Sequence, residues 1–377
     1  MTQRQNGLTL GLPRMLCEPG EKRDFLPSFV REVVAMRVQV TIESALGSGM
    51  GFSDTDYTAV GPGVRISDRA SAYEQEVVLV LRCPDMSEWP LIRQGKTLMS
   101  MLHFPTRPNR VQKLQELGLE ALSLDSMEDD GGNRLVENLA DVAWNGVKAA
   151  FDTLEKTYEQ LTQPDRPPVR VTVLGSGRVG KHAVEASVKY GDLDRNRDFA
   201  ERGLPGVEVV TVGRNLSTRW EYMRDRLLVT DILVDATYRP EGSSKPVIPN
   251  VWIAWLPQHA VICDLNVDPY ELNADPPTVR SVEGIPAGNL DRYVLFPDDP
   301  AWNTTVPAEI PNANRRTVVS CYSWPGVFPE RCMDKYGRQL IPLFEALVAR
   351  GGPQGLRSDG SFFERALWRS SLRRWTK

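Results

Sequence analysis

Residues 175–180, Gly-Ser-Gly-Arg-Val-Gly, stand between a β-branched run, VRVTVL (169–174), and a helix-forming stretch, KHAVEASVKY (181–190). Glycines at this spacing have separate physical roles. The first makes the tight turn out of the strand, the second lets a pyrophosphate approach the backbone, and the third lets the helix pack closely on the strand. The helix then presents unpaired N–H groups and the positive end of its dipole to the phosphates. Gly175, Ser176, Gly177, Arg178, Val179 and Gly180 are therefore candidate dinucleotide contacts. A bare strand–helix turn is the alternative, and the flanking strand and helix favour the dinucleotide. A second cue ends the strand VEVVTV (207–212). Nicotinamide-binding folds commonly carry an acid there for the ribose 2′-OH, or an arginine nearby for a 2′-phosphate. This chain has Gly213 and Arg214. Glycine leaves room and a guanidinium grips phosphate with a fork of donors. NADP(H) is expected over NAD(H), with Arg219 a second candidate for the clamp.

The elements that must position these residues read as alternating strands and helices. Residues 8–122 alternate strand-like and helix-like patterns, LTLGLP, RDFLPSFVREVVAM, VQVTIES, EVVLVLRC and KTLMSMLHF, in an α/β layout. The polar stretch DSMEDDGGN (125–133) breaks it, and apolar residues then recur at helical spacing from about Arg134 to Leu161, which predicts a long helix. TQPDRPP punctuates its end. VRVTVL, VEVVTV, DILVDA and AVICDLN follow as short buried strands of a doubly wound parallel sheet. After Pro307 come TVVSCYSWPGVFPE and a helix over LIPLFEALVARGG. There is no internal repeat.

Composition bounds the function. At roughly 150 residues per domain, a chain of 377 suggests two domains. A net charge of −4 gives no basic field for nucleic acid, and no run of about 18 apolar residues is present to span a membrane. The N-terminus lacks the apolar core of a secretory signal, so a soluble, cytoplasmic protein is expected. Cys17, Cys83, Cys263, Cys321 and Cys332 are scattered without metal-ligand spacing, and no metal is expected.

GLPRMLCEPGEKRDFLPSFV, GSGMGFSDTDYTAVG, LRCPDMSEWPLIRQGKTLMSMLHF, VICDLNVD and SWPGVFPE together resemble the alanine dehydrogenase and proton-translocating transhydrogenase family, to which saccharopine dehydrogenase and carboxyethylornithine synthase are related. The resemblance runs along nearly the whole chain. It implies two Rossmann-like domains with doubly wound parallel sheets and a cleft between them. Residues 1–133 plus 307–377 would form the substrate domain, and 134–306 the dinucleotide-binding domain, entered by a long linker helix. It also implies that Arg23 holds a substrate carboxylate, that His103 is the catalytic histidine, and that Asp268 lies near the reacting carbon. Arg82 falls where the family usually has lysine. An arginine stays charged, so Arg82 can anchor a carboxylate and cannot serve as a base. His182 and His259 have no functional cue.

The expected activity is an NAD(P)-dependent oxidoreductase acting on the CH–NH or CH–NH2 group of an amino acid or an opine-like secondary amine, through an iminium. Partners would be that small molecule, or a 2-oxo acid, and further copies of the chain in a homo-oligomer. A nucleotide-binding module without its own chemistry, like the soluble part of transhydrogenase, is the alternative. Ser323 and Trp324 replace an asparagine-bearing loop of alanine dehydrogenases, so Trp324 is expected either to line an enlarged pocket or to pack between domains.

Overall fold

Runs such as VVLVLR and VRVTVL are apolar on both sides of the strand, so each needs cover on both faces. The computed structural model describes residues 7–15, 18–239, 243–273, 275 and 277–376, and Cys17 lies outside them. The chain forms two compact units, 1–138 with 328–377, and 139–327. Each is a doubly wound α/β sheet.

In the first unit β1 (Thr9–Leu12), β2 (Gln39–Glu43), β3 (Val64–Ser67), β4 (Val77–Arg82), β5 (Thr97–Met101) and β6 (Glu120–Ser123) are all parallel, in the order β3-β2-β1-β4-β5-β6. The order reverses between β1 and β4, where such sheets open a crevice at the carboxyl ends of the strands. One core joins these strands to the helices Pro27–Ala35 and Pro329–Ala349. The rings of Phe29 and Phe344 meet edge to face at 5.7 Å.

In the second unit β7 (Val169–Leu174), β8 (Val207–Val212), β9 (Ile232–Asp235), β10 (Val261–Asp264) and β12 (Thr317–Ser320) run parallel, and β11 (Val294–Leu295) pairs antiparallel with β12. The order is β11-β12-β10-β9-β7-β8. Val171, Val173, Val234 and Cys263 join one buried cluster, and Leu174, Leu233, Ile262 and Val318 another. That is the alternation a sheet covered on both faces requires. Among the described residues no helix is long and apolar enough to cross a membrane.

Three boundaries differ from the sequence expectation. The helix expected over 134–161 spans Leu139–Thr157, because Leu135 N–H instead bonds to Met127 O and Arg134 bridges to Glu128. The chain returns to the first unit at Phe328 rather than 307, because Thr317–Ser320 finds a parallel partner in β10. The final long helix starts at Pro329, inside the SWPGVFPE segment, where proline's fixed φ suits a first helical turn.

Candidate functional site

The first unit gathers its chemistry at the carboxyl ends of neighbouring strands. β5 ends at Met101 and β6 at Ser123, so His103 and Asp125 each lie two residues beyond paired strands. Nδ1 of His103 stands 3.3 Å from Oδ2 of Asp125, and the backbone N–H of His103 donates to Oδ1 at 3.0 Å. The Ser123 hydroxyl donates to the same oxygen at 2.7 Å. Burial alone would raise the Asp125 carboxyl, but the bonds from His103 and Ser123 outweigh it and hold the group well below the usual carboxylate range. With a neutral ring's proton on Nδ1, Nε2 is left as an acceptor, and the imidazole is 49 % exposed. His103 adopts a left-handed backbone, φ 52°, a conformation that collects at functional sites when its surroundings enforce it. Asp125 carried no signal in the sequence. Only the adjacency of β5 and β6 shows that it orients the histidine.

Arg82 is the last residue of β4 and pairs in register with Met101 of β5. Its guanidinium is partly exposed and approaches Glu18 at 3.5 Å. Arg23 differs. It is 2 % exposed, and its Nε and Nη2 donate to Glu21 at 2.8 and 2.6 Å. Burial would raise the Glu21 carboxyl, yet Arg23 holds it below its ordinary value. The fork of Arg23 therefore grips Glu21 in the present arrangement.

In the second unit the glycine loop has the expected geometry. Gly175 has φ +97°, and a Cβ there would meet Ala236 O at 2.5 Å; a Cβ on Gly180 would meet Gly175 O at 2.2 Å. Gly177, which caps the helix Arg178–Ser187, faces open space. A cavity of about 660 Å³ lies at this sheet's reversal point between β7 and β9. Gly175, Ser176, Gly177, Gly213 and Arg214 line it. Gly180 packs against the turn, Val179 faces the core, and Arg178 opens the helix, all outside that lining. Thr237, exposed Tyr238 and Lys245 are also in the wall and have no motif in the sequence.

Next to this wall lies a chain of polar groups. Asn266 Nδ2 donates to Asp268 and to Thr237 Oγ1, and Thr237 Oγ1 donates to Asp235 at 2.8 Å. Burial and the neighbouring Asp264 push Asp235 up to about 7 and Asp268 to about 6. Asp264 is buried and accepts from Arg280 at 2.7 Å and Ser320 at 2.8 Å, and from the backbone N–H of Val267. Val267, immediately before Asp268, has φ 55°, which a β-branched residue adopts only under constraint. Trp324 is not among the residues that line the cavity at the glycine loop. It is buried in the second unit, with Nε1 on Asp264 O at 2.8 Å and its ring against Tyr293.

Residues 13–143 match the family described as alanine dehydrogenase/PNT, N-terminal domain. That span, about a third of the chain, is where the similarity to the alanine dehydrogenase/PNT family lies. The chain is 25% identical over 255 residues to an alanine dehydrogenase of Halomonas elongata, covering 64% of this chain and 68% of that one. Against the alanine dehydrogenase of Bacillus subtilis it is 22% identical over 273 residues, covering 69% and 71%. An L-alanine dehydrogenase structure shares the fold with a TM-score of 0.70 at 20% identity, over 97% of this chain and 94% of that one. A transhydrogenase from Sinorhizobium meliloti does so at 0.65 and 15% identity, over 95% and 97%. His103, Arg82 and Arg23 all lie within the matched span.

Proposed function

We propose that this chain is an NAD(P)-dependent oxidoreductase acting on the C–N bond of an amino acid or an opine-like secondary amine. The observation that carries the reading is the His103 ring held on Asp125 with Nε2 directed away from it. A bare nucleotide-binding module has no use for an oriented acid/base group. In the oxidative direction the α-carbon gives up a hydride and the nitrogen lone pair closes C=N. Water then adds, and loss of the amine leaves the 2-oxo acid. His103 takes the proton from the attacking water and returns it to the departing amine. Asp125 keeps the ring in one tautomer and stabilises it when protonated. Arg82 pairs with the substrate carboxylate. Asp268, raised to about 6, is a second group able to hold a proton near neutrality.

The residues fit a dinucleotide. Open space at Gly177 suits a pyrophosphate at the start of a helix. When bound, the nicotinamide supplies the two-electron acceptor. NADP(H) is favoured because Gly213 leaves room and exposed Arg214 lines the cavity where an acid would repel a 2′-phosphate. A homo-oligomer is proposed on the family alone.

The test is a thermal-shift screen of amino acids and 2-oxo acids with NADPH present, followed by turnover at the nicotinamide absorbance. Ligands that bind the folded state raise its melting temperature by mass action. A chain stabilised by NADPH and by no amino or 2-oxo acid, with no turnover, would be the binding module instead.

A further inference from the structure

Leu102, His103 and Phe104 form the turn that carries the imidazole, and each is tied to a different neighbour. The N–H of Leu102 donates to Ser123 Oγ at 3.1 Å, and that of His103 to Asp125 Oδ1 at 3.0 Å. Both of these ties come from the exit of β6. Phe104 is buried, and its ring meets Trp375 with centroids 6.0 Å apart and planes tilted by 52°, within the range where aromatic rings attract. This third tie comes from far along the chain.

The same segment grips β6, which lies at the edge of its sheet beside β5. Arg373 donates twice to Glu120 at the start of β6, each time at 3.2 Å, and Ser371 forms an antiparallel bridge to Leu122 within it. Beyond the strand, Arg369 Nη1 donates to Glu128 O at 2.8 Å. The helix Phe362–Ser370 packs on the turn Leu124–Ser126, which carries Asp125. Residues 369–375 therefore follow the open edge of β6, as a covered edge strand requires, and touch the elements that bear both halves of the dyad. Hydrogen bonding does not account for the indole at the end of this segment. Its Nε1 is buried and meets no acceptor among the described residues, which is costly. What the ring supplies is apolar surface against Phe104 and the core of the first unit. His103, at φ 52°, keeps a conformation that a residue other than glycine holds only when its surroundings over-determine it. Hydrogen bonds hold the turn on the side of Leu102, and the packed ring of Phe104 stops it from unwinding on the other.

We infer that Trp375 is a positioning residue for His103, clamping Phe104 so that the imidazole stays on Asp125. The catalytic meaning of this clamp rests on the dehydrogenase reading, whereas the clamp itself does not.

NMR of the full chain, labelled with 13C at histidine Cε1, reads the clamp directly. The chain has three histidines, and His182 and His259 belong to the second unit, where they serve as internal controls. His103→Ala assigns the remaining signal. Trp375→Ala is expected to move the His103 signal toward its position in Asp125→Asn, with the other two unmoved. It should also lower kcat roughly ten- to a hundredfold with NADPH affinity kept, the cost of a misplaced acid/base group. Trp375→Phe keeps a ring on Phe104 and drops the unmet N–H, so it should restore the signal, most of the turnover and the melting temperature. If Trp375→Ala does not fold, Trp375→Leu is read in the same way. An unmoved His103 signal in the folded variant overturns the clamp, as does a movement of all three signals together, which marks general loosening. The two readings fail separately. A His103 signal that depends on Trp375, in a chain that turns over no amino acid, leaves the clamp standing and removes the dehydrogenase. Turnover that Trp375→Ala leaves unchanged, with an unmoved signal, does the reverse.

Discussion

A histidine and an aspartate two residues past neighbouring strands make a dyad whose halves can be tested separately. His103→Ala is expected to lower kcat by about 10² to 10⁴ with NADPH affinity kept, read by steady-state turnover beside a cofactor titration. Asp125→Asn should cost less and also shift the pH–rate profile toward acid, because a ring that takes up a proton no longer meets an anion. A merely structural Asp125 would lower activity evenly across pH. Arg23→Gln should act on the fold instead. It strands the Glu21 carboxylate, whose side chain is 1 % exposed, and breaking a buried pair from one side costs about 3 kcal/mol or more. Chemical denaturation reads that loss. Arg82 and His103 were singled out in the sequence through the resemblance, because their types and order along the chain carry it, and their roles stand as proposals. Asp125 and Glu21 were not, because their roles come from strand adjacency and a pairing that no single segment encodes. Arg23 shows the converse. The resemblance implies that it holds a substrate carboxylate, and in this structure its buried guanidinium donates to Glu21.

At the level of elements, strand β7, the glycine turn and the following helix were readable because glycine placement is a local steric demand. Gly180→Ala makes that demand visible. Its methyl would fall 2.2 Å from Gly175 O, so the helix must move off the turn. NADPH binding should be lost by more than tenfold, with a destabilisation on the order of 1–3 kcal/mol. NADPH affinity equal to the parent's would mean that the turn does not hold phosphate. Arg214→Ala addresses the other end of the cavity and should narrow the preference for NADPH over NADH, as measured by fluorescence titration of both. Helix limits were read less well. Periodicity marked 134–161, but it cannot register that Arg134 and Leu135 pair with the loop before them and that the backbone of Glu137 pairs with the Gln339 side chain. Trp324 illustrates the same limit, since its burial beside Asp264 follows from β12 joining the second sheet.

For the molecule as a whole, buried carboxyls set a pH dependence of stability. Asp24 is raised to about 6, Asp268 to about 6 and Asp235 to about 7, chiefly by burial. A carboxyl raised in the folded state binds its proton more tightly there than in the unfolded chain. The stability this gives is full below about pH 4 and is lost as pH rises to about 7. Asp125 acts with the opposite sign, contributing above about pH 4 and losing its contribution as pH falls through its depressed value. Asp235→Asn keeps an Oδ1 acceptor for Thr237 and Ser281 and removes the titration. Its melting temperature should exceed the parent's at pH 8, with the gap closing by pH 5; a gap independent of pH would remove Asp235 as the titrating group. The folding plan also constrains how the protein is made. Phe29 waits for Phe344, and the core holding Leu10, Val30 and Val78 is completed by Leu340, Leu343 and Leu347. A ribosome delivers these some three hundred residues later. During synthesis the unit that begins first must therefore finish last, its early strands exposed to chaperones until the final helix emerges.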